Sequence, residues 1–113
     1  MKINRDNFKN EEKKLKKYYE EKEILDRIIN HIKECRDYNE LSNSVISYMY
    51  GFENLRNDLA GYYSFRLSKK SSAIRLLMTI DINSSIVNLE YISMNHYEDF
   101  KKKKNSRWLI WER

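Results

Sequence analysis

The chain has 113 residues, of which 41% are hydrophobic and 35% are charged, with two glycines and no proline. This length fits one domain with a single modest core, and the composition excludes a long disordered segment. A lone cysteine, Cys35, excludes an internal disulfide, and no apolar run approaches the roughly 20 residues that span a bilayer. Residues 1–10 lack the apolar centre of a secretory signal, so we expect a cytoplasmic protein without membrane contact.

The net charge of +5 comes entirely from the C-terminal end. Residues 1–100 contain 16 Lys and Arg against 16 Asp and Glu, whereas residues 101–113 contain 6 against 1. This tail begins with four consecutive lysines, Lys101, Lys102, Lys103 and Lys104. A basic tail attracts phosphate backbones or an acidic partner without sequence preference. A solvated terminus that only aids solubility explains the same charges equally well.

From about residue 7 to residue 50 the periodicity is helical. Apolar residues at spacings of three and four form one stripe, which comprises Leu15, Tyr18, Tyr19, Ile24, Leu25, Ile28, Ile29 and Ile32. Two packed helices or one long bent helix both fit this stripe, and His31 within it is predicted to be structural. Residues 37–39 are a plausible break, after which Leu41, Val45, Ile46 and Tyr48 or Met49 predict a short helix that stops at Gly51.

After Gly51 the period of the apolar residues changes to two, which is typical of strands. Alternation predicts strands over residues 62–67, 74–80 and 86–94, and residues 81–85 supply turn residues between the last two. Short connections favour an antiparallel meander, on which the N-terminal helices pack while the other face of the sheet stays open for function.

The sequence therefore predicts a single α+β domain over residues 1–113, with helices packed on a small antiparallel sheet. Residues 1–50 are its helical part, 51–97 its loop and strands, and 98–113 its basic extension. Within that extension residues 98–103 are expected to form a helical turn, and the apolar segment 108–111 needs a surface on which to pack.

The loop and strands carry a set of groups that can cleave RNA without a metal. Such cleavage needs a base for the 2′-hydroxyl proton, an acid for the leaving 5′-oxygen and cations for the phosphorane charge. Glu53 is the candidate base and His96 the candidate acid, because the ordinary pKa of histidine lies nearest neutrality. Arg66 and Arg75 lie on the polar side of adjacent strands, where their guanidinium forks match phosphate oxygens.

Two further residues fit an RNA site. Arg56 lies on the loop beside Glu53, and Tyr97 offers a ring for stacking on an unpaired base. Each candidate has a structural alternative: His96 as an ordinary exposed histidine, Glu53 as a solvated carboxylate, and the two strand arginines as cross-strand partners of Glu90 or Asp81. No Cys or His spacing suggests zinc and no glycine-rich loop suggests a nucleotide, so no metal and no cofactor are expected.

The most specific part of the chain is the segment Asn57-Asp58-Leu59-Ala60-Gly61-Tyr62-Tyr63-Ser64, preceded by Glu53 and followed by Arg66 and Leu67. It resembles a segment of the RelE/ParE superfamily of bacterial toxins, and within that superfamily the YoeB-like ribosome-dependent mRNA endonucleases. Residues 74–78 resemble the family's His-Arg-Leu-Val-Tyr strand, and residues 95–97 resemble its terminal aromatic-His-Tyr. The resemblance covers about 45 residues.

The resemblance implies a fold, a site and partners. The fold would be a small antiparallel sheet flanked by N-terminal helices. By the same match Glu53 would be the general base, His96 the general acid, Arg66 and Arg75 the phosphate-stabilising arginines, and Tyr97 the stacking tyrosine. Arg56 falls where the family has a basic loop residue. The chain would bind the ribosomal A site, cut the mRNA codon there and be neutralised by a cognate antitoxin protein.

Two other functions remain open at this point. A toxin of the ParE branch shares the fold, acts on DNA gyrase and has no use for an acid and base pair. A catalytically silent module that binds RNA or protein would keep the sheet and the basic tail without needing Glu53. Retention of Glu53 and His96 favours the enzyme over both.

Overall fold

The structure, a computed structural model, describes residues 1–68 and 73–103. Its strands are β1 (Lys2–Asn4), β2 (Glu53–Asn54), β3 (Tyr63–Arg66), β4 (Arg75–Asp81) and β5 (Ile86–Ser93). Its α-helices are α1 (Lys9–Glu12), α2 (Tyr19–Glu34), α3 (Tyr38–Asn43), α4 (Val45–Met49) and α5 (98–103), and short 3-10 helices cover Lys13–Leu15 and Asn57–Leu59. The predicted α+β class is confirmed. Every helix in the described ranges is too short or too polar to span a bilayer.

The five strands form one sheet in the order β1-β5-β4-β3-β2. Strands β3, β4 and β5 pair antiparallel as the predicted meander, and β2 adds antiparallel to β3. Strand β1, however, runs parallel to β5, so the sheet is mixed and the prediction of a wholly antiparallel sheet is wrong at this edge. Helices α1 to α4 and strands β2 to β4 all lie between β1 and β5 in the chain, and a parallel pair requires a long connection of this kind.

One face of the sheet packs against α2. The apolar side chains of this helix, Ile24, Leu25, Ile28, Ile29 and Ile32, are buried in one cluster with Tyr63, Phe65, Leu76, Met78 and Val87 of the strands. The predicted stripe is confirmed over these residues and at Leu15. Tyr18 and Tyr19, placed in the same stripe, are instead 44% and 78% exposed. The helix begins only at Tyr19, after an interruption at Tyr18, which breaks the phase of the periodicity.

Caps define the short helices after α2. The Asp37 carboxylate accepts a hydrogen bond from the Glu40 amide at 3.0 Å and so starts α3, which confirms the predicted break. Ser44 caps α4 in the same way, through its hydroxyl and the Ser47 amide. Gly51 has a φ of +63° and ends α4 as predicted, because glycine enters this left-handed region without the cost a Cβ brings.

The second face of the sheet is covered in part. A smaller buried cluster contains Leu55, Leu59, Leu77, Tyr91, Tyr97 and Phe100. Phe100 belongs to α5, and its ring lies 5.1 Å from the ring of Tyr62 and 4.9 Å from that of Tyr91. Helix α5 confirms the helical turn expected over 98–103, but the expectation that this face stays open is wrong wherever α5 packs on it.

A bulge in β5 decides which residues occupy this second face. Leu77 is opposite Tyr91 and Met78 is opposite Leu89, so no residue of β4 is opposite Glu90 in the register. The extra residue shifts the alternation of β5 by one position. Leu89 and Ile92 therefore face the α2 side, whereas Tyr91 and Ser93 face the second side together with Leu77 and Arg75.

Candidate functional site

The predicted site residues gather at the end of the sheet where β3 ends and β4 begins. Arg66 is directly opposite Arg75, and Arg75 is directly opposite Ser93. Residues opposite each other in adjacent strands share a face, so this row lies on the second face of the sheet. The backbone amide of His96 donates to the Ala73 carbonyl at 2.7 Å, which holds the turn after β5 against the start of β4.

A buried hydrogen-bonded chain lies within this group. The Arg75 Nη1 atom donates to the Tyr97 hydroxyl at 3.2 Å, and the Tyr97 hydroxyl shares a hydrogen bond of 2.7 Å with Ser64 Oγ. The Arg75 guanidinium carbon also lies 5.4 Å from the centroid of the Tyr97 ring. Because arginine can only donate, Tyr97 accepts from Arg75, whereas either hydroxyl can be the donor in the bond between Tyr97 and Ser64. Tyr97, itself bonded to Ser64, therefore holds the guanidinium.

The turn that carries Tyr97 has an unusual backbone. His96 and Tyr97 have φ angles of +57° and +75°, a region that a bulky side chain enters at a cost of order 1–3 kcal/mol. Contacts on both sides hold it in place: Ser93 Oγ accepts from the Tyr97 amide at 2.7 Å and donates to the Asp99 carboxylate at 2.7 Å. This conformation directs the Tyr97 ring onto the sheet and leaves the His96 side chain exposed at the rim.

Glu53 lies on the edge strand of the same face. It is exposed and directly opposite Ser64, the residue that bonds to Tyr97. Ser64 is in turn opposite Leu77, two residues from Arg75, which makes Ser64 and Arg75 diagonal neighbours. Diagonal neighbours in adjacent strands are about 7–8 Å apart, within reach of long side chains. Glu53 and His96 therefore flank the Arg75 group, one at the sheet edge and the other at the terminal turn.

Arg66 has the predicted register but another direction. Its Nη2 donates to the Met49 carbonyl at 3.3 Å, and its amide donates to the Tyr50 carbonyl at 2.7 Å. Its guanidinium thus lies at the end of α4, whereas that of Arg75 lies under Tyr97. Two like charges directly opposite each other in a sheet repel, which favours this divergence. The structure brings together Glu53, Arg75, His96 and Tyr97, with Arg66 turned away.

Tyr97 is not available for base stacking in this arrangement. It is 7% exposed, with one side of the ring near Arg75 and the His96 ring centroid 5.1 Å away. The interpretation of Tyr97 as a stacking platform is therefore corrected: burial on the sheet leaves no open ring face for a base. Its hydroxyl and ring hold Arg75 instead.

The predicted RNA-binding residues lie at the periphery. Arg56 is exposed at the start of the 3-10 helix Asn57–Leu59. Lys102 and Lys103 are exposed on α5, Lys101 is half-buried there, and Lys103 Nζ lies 5.3 Å from the centroid of the Tyr91 ring. Lys104, the apolar segment 108–111 and the hairpin tip 69–72 lie outside the described residues.

Three residues of the site escaped the sequence reasoning: Ser64, Ser93 and Asp99. Alternation was the available signal for Ser64, which lies on the polar side of β3. Ser93 continues the apolar positions Val87, Leu89 and Tyr91 in the sequence and faces away from Leu89 only because of the bulge at Glu90. Asp99 accepts from Ser93 and from the Met94 amide at 2.9 Å, a contact that depends on the turn and has no sequence signal.

The two acids predicted as alternative partners of the strand arginines have other hydrogen-bond partners. Glu90 accepts from Thr79 at 3.0 Å, and Asp81 accepts from the Ser84 amide at 3.2 Å. His31 has a structural environment as predicted, since its Nε2 lies 2.7 Å from Ser44 Oγ and 3.5 Å from Cys35 Sγ. Within residues 1–68 and 73–103 no three His, Cys, Asp or Glu side chains come together in a group that would hold a metal.

The arrangement combines an exposed carboxylate, an exposed imidazole and a fixed guanidinium on one end of one sheet face. These groups can accept a proton, donate a proton and stabilise a phosphate anion respectively. Comparison with known protein families, with curated proteins and with solved structures gave no match to this chain.

Proposed function

We propose that this protein is a metal-independent endoribonuclease of the RelE/ParE type, the toxin of a type II toxin-antitoxin system. It cuts mRNA in the ribosomal A site, acts in the cytoplasm and is neutralised by a cognate antitoxin protein. The observation that carries the proposal is the position of Arg75, held by Tyr97 and Ser64, between Glu53 and His96 on one sheet face. The motif over residues 53–67 adds the resemblance to the YoeB-like members.

The proposed reaction uses three side chains. Glu53 takes the proton from the ribose 2′-hydroxyl, and the 2′-oxygen then forms a bond to the phosphorus. Arg75 stabilises the charge that develops on the phosphorane oxygens. His96 gives a proton to the 5′-oxygen as the bond between phosphorus and that oxygen breaks. The products are a 2′,3′-cyclic phosphate and a free 5′-hydroxyl.

Tyr97 is assigned a positioning role in this mechanism. Its hydroxyl accepts from Arg75, and its ring limits the movement of the guanidinium. A donor that is fixed before the reaction stabilises the developing charge without reorganisation. Arg56 and the lysines of α5 lie around this centre and supply positive charge for the RNA backbone and the ribosome.

The test is expression of the chain, with and without His96→Gln, in a bacterial translation extract. New mRNA ends are mapped by primer extension and examined for a 2′,3′-cyclic phosphate. The proposal expects cuts at A-site codons that disappear in the variant, while circular dichroism shows an unchanged fold. Equal cutting by both proteins contradicts the acid role, and cutting without ribosomes contradicts the ribosome requirement.

A second candidate is a catalytically silent module that binds RNA or protein, and one observation favours it. Arg75 is only 8% exposed, and an arginine so deeply covered by Tyr97 is also explained as a structural part of the sheet. Intact mRNA at toxic expression levels would support this module. The ParE-like alternative is then separated from it by a DNA supercoiling assay with purified gyrase.

A further inference from the structure

A cleft separate from the Arg75 group lies at the β3 edge of the sheet. It has a volume of about 330 Å³ and is formed by α2, the end of α4 and the end of β3. The described residues that line it are Ile24, Arg27, Met49, Tyr50, Arg66 and Ser68. This set combines two guanidinium groups and two hydroxyl groups with an apolar floor, and it contains no carboxylate.

Arg66 is held in this cleft by the backbone. Its Nη2 donates to the Met49 carbonyl, and its Cζ lies 3.6 Å from the point at which a Cβ on Gly51 would stand. A guanidinium has five N–H donors, so the bond to Met49 leaves most of its donors for another acceptor. The absence of a side chain at Gly51 leaves the space beside the guanidinium free.

Arg27 enters the cleft from the opposite wall, on α2. Its guanidinium lies beside the Tyr50 hydroxyl, and hydrogen bonding to that hydroxyl raises the pKa of Arg27. The Glu23 carboxylate, one turn earlier on α2, also raises the pKa of Arg27, but by less than Tyr50 does. Two arginines that remain charged in one cleft, without an acid among the described lining residues, form a site for an anion.

The register of the sheet relates this cleft to the proposed active centre. Arg66 is directly opposite Arg75, so the backbone of one strand pair supports both groups while their side chains diverge. A nucleic-acid strand repeats a phosphate at every nucleotide. Because α2 packs on the face opposite Arg75, an RNA strand that contacts both Arg75 and the cleft passes round the end of the β3–β4 pair.

We propose that the cleft between Arg27 and Arg66 binds a backbone phosphate of single-stranded RNA, next to the phosphate that is cut. This inference rests on the proposed function for the identity of its ligand, since Arg75 must contact the scissile phosphate. It assigns Arg66 to substrate binding and adds Arg27, which has no role in the chemical step.

The test measures binding of a single-stranded oligoribonucleotide with 2′-O-methyl groups, which lack the hydroxyl needed for cleavage. Fluorescence anisotropy gives the Kd of the full chain and of Arg27→Gln over a range of salt concentrations. Loss of one phosphate contact is expected to weaken binding about tenfold at low salt and to reduce the salt slope by about 0.7. Arg36→Gln is the matched control, because Arg36 is exposed, pairs with Glu40 and lies outside the cleft.

Equal Kd values and equal salt slopes for Arg27→Gln and Arg36→Gln overturn the proposal. Arg27→Lys, which keeps the charge but loses the planar fork, is expected to fall between Arg27→Gln and the wild type. An acidic peptide of matched charge, such as hexaglutamate, serves as the second probe. If it displaces the oligonucleotide from the wild type and itself loses affinity in Arg27→Gln, the cleft is a site for an acidic protein and the RNA assignment is wrong.

Failure of this inference is distinguishable from failure of the endonuclease proposal. The oligonucleotide cannot be cut, so its binding does not depend on Glu53 or His96 chemistry. Absence of mRNA cleavage together with a tenfold effect of Arg27→Gln refutes the enzyme and supports the cleft. Cleavage that depends on His96 together with no effect of Arg27→Gln supports the enzyme and refutes the cleft.

Discussion

The hydroxyl groups of Ser64 and Tyr97 lie 2.7 Å apart in the interior of the second face of the sheet. Ser64 comes from the middle of β3, and Tyr97 comes from the left-handed turn that follows β5. The hydrogen bond joins β3 to the turn after β5. The same Tyr97 hydroxyl also accepts from Arg75 at the start of β4. Tyr97 thus connects Ser64 to Arg75.

Tyr97→Phe is expected to destabilise the fold by about 1–3 kcal/mol, because it leaves buried Ser64 and Arg75 groups short of a partner. Urea denaturation measures this loss. Ser64→Ala and the double variant complete a double-mutant cycle, in which the two losses are expected to be clearly less than additive. Additive losses would mean that the two hydroxyls act independently and that the bond does not couple them.

Arg75→Ala and Arg66→Ala are expected to affect cleavage differently. Removal of a fixed donor to the developing charge lowers kcat by about 10²–10³-fold, whereas loss of a binding contact raises KM and leaves kcat nearly unchanged. Steady-state kinetics of mRNA cleavage on programmed ribosomes separates the two constants. The same change in kcat for both variants would contradict the divergence of their guanidinium groups.

Stability is expected to fall as the pH rises above about 9. Burial raises the pKa of the Cys35 thiol above its ordinary value of 9.0, and burial likewise raises the pKa of Tyr63 above 10.0. The unfolded chain therefore loses these protons at a lower pH than the folded chain does, which favours unfolding. The stabilisation is complete below the ordinary pKa values and is lost as the pH rises through the folded values.

The urea midpoint at pH 7, 9 and 10 checks this dependence. Cys35→Ala is expected to flatten the part of the curve that begins near pH 9 while lowering stability at all pH values through the lost packing. If the curves of the wild type and Cys35→Ala run parallel between pH 8 and 10, the thiol does not contribute to the alkaline loss.

Glu11 is expected to protect the open part of β5 from self-association. Strand β1 pairs with β5 only as far as Asn88, and beyond it the Glu11 carboxylate accepts from the Ile92 amide at 2.9 Å. Lys14 donates to the Ile92 carbonyl at 2.9 Å and pairs with Glu11 at 2.8 Å. Unpaired strand edges promote association of chains.

Glu11→Ala exposes this edge, and sedimentation velocity over a range of concentrations is expected to show oligomers. Glu12→Ala is the matched control, since Glu12 belongs to the same helix but pairs with Arg5. A monomeric Glu11→Ala at high concentration would show that the side chain has no protective role at this edge.

The lysines of α5 are expected to contribute to association with ribosomes through charge alone. The double variant Lys101→Gln, Lys102→Gln should bind ribosomes more weakly at low salt and equally well at high salt. Lys16→Gln with Lys17→Gln removes the same charge from two exposed positions on the helical side. Cosedimentation with ribosomes measures both, and equal losses in the two variants would argue against a specific role for α5.

Local patterns predicted much of this fold. The apolar stripe of α2, the alternation of β3 and β4 and the stop at Gly51 each depend on a few neighbouring residues, and all three are confirmed. Strand β1 has only three residues, and its pairing with β5 spans more than 80 positions, so no local pattern reveals it. Strand β2 is two residues long and was predicted as a loop for the same reason.

The sequence predicted which site residues are opposite each other in the sheet, but it did not predict where their side chains point. Alternation correctly placed Arg66 opposite Arg75. The departure of the Arg66 guanidinium towards Met49 depends on where α4 ends, and the burial of Tyr97 depends on two consecutive positive φ angles. Both are tertiary effects that periodicity cannot show. The roles of Glu53 and His96 in chemistry stay predictions.

The bulge at Glu90 decides which face of the sheet each later residue of β5 occupies. It therefore also determines how the strand responds to the loss of one residue. Removal of Glu90 would restore simple alternation and leave Leu89, Tyr91 and Ser93 on their present faces. Removal of Tyr91 would restore the same alternation, but it would put the Glu90 side chain in the buried position that the Tyr91 ring fills beside Leu77 and Phe100. Loss of one residue from β5 therefore keeps Ser93 on its face in both cases, but only the loss of Glu90 also keeps the aromatic ring.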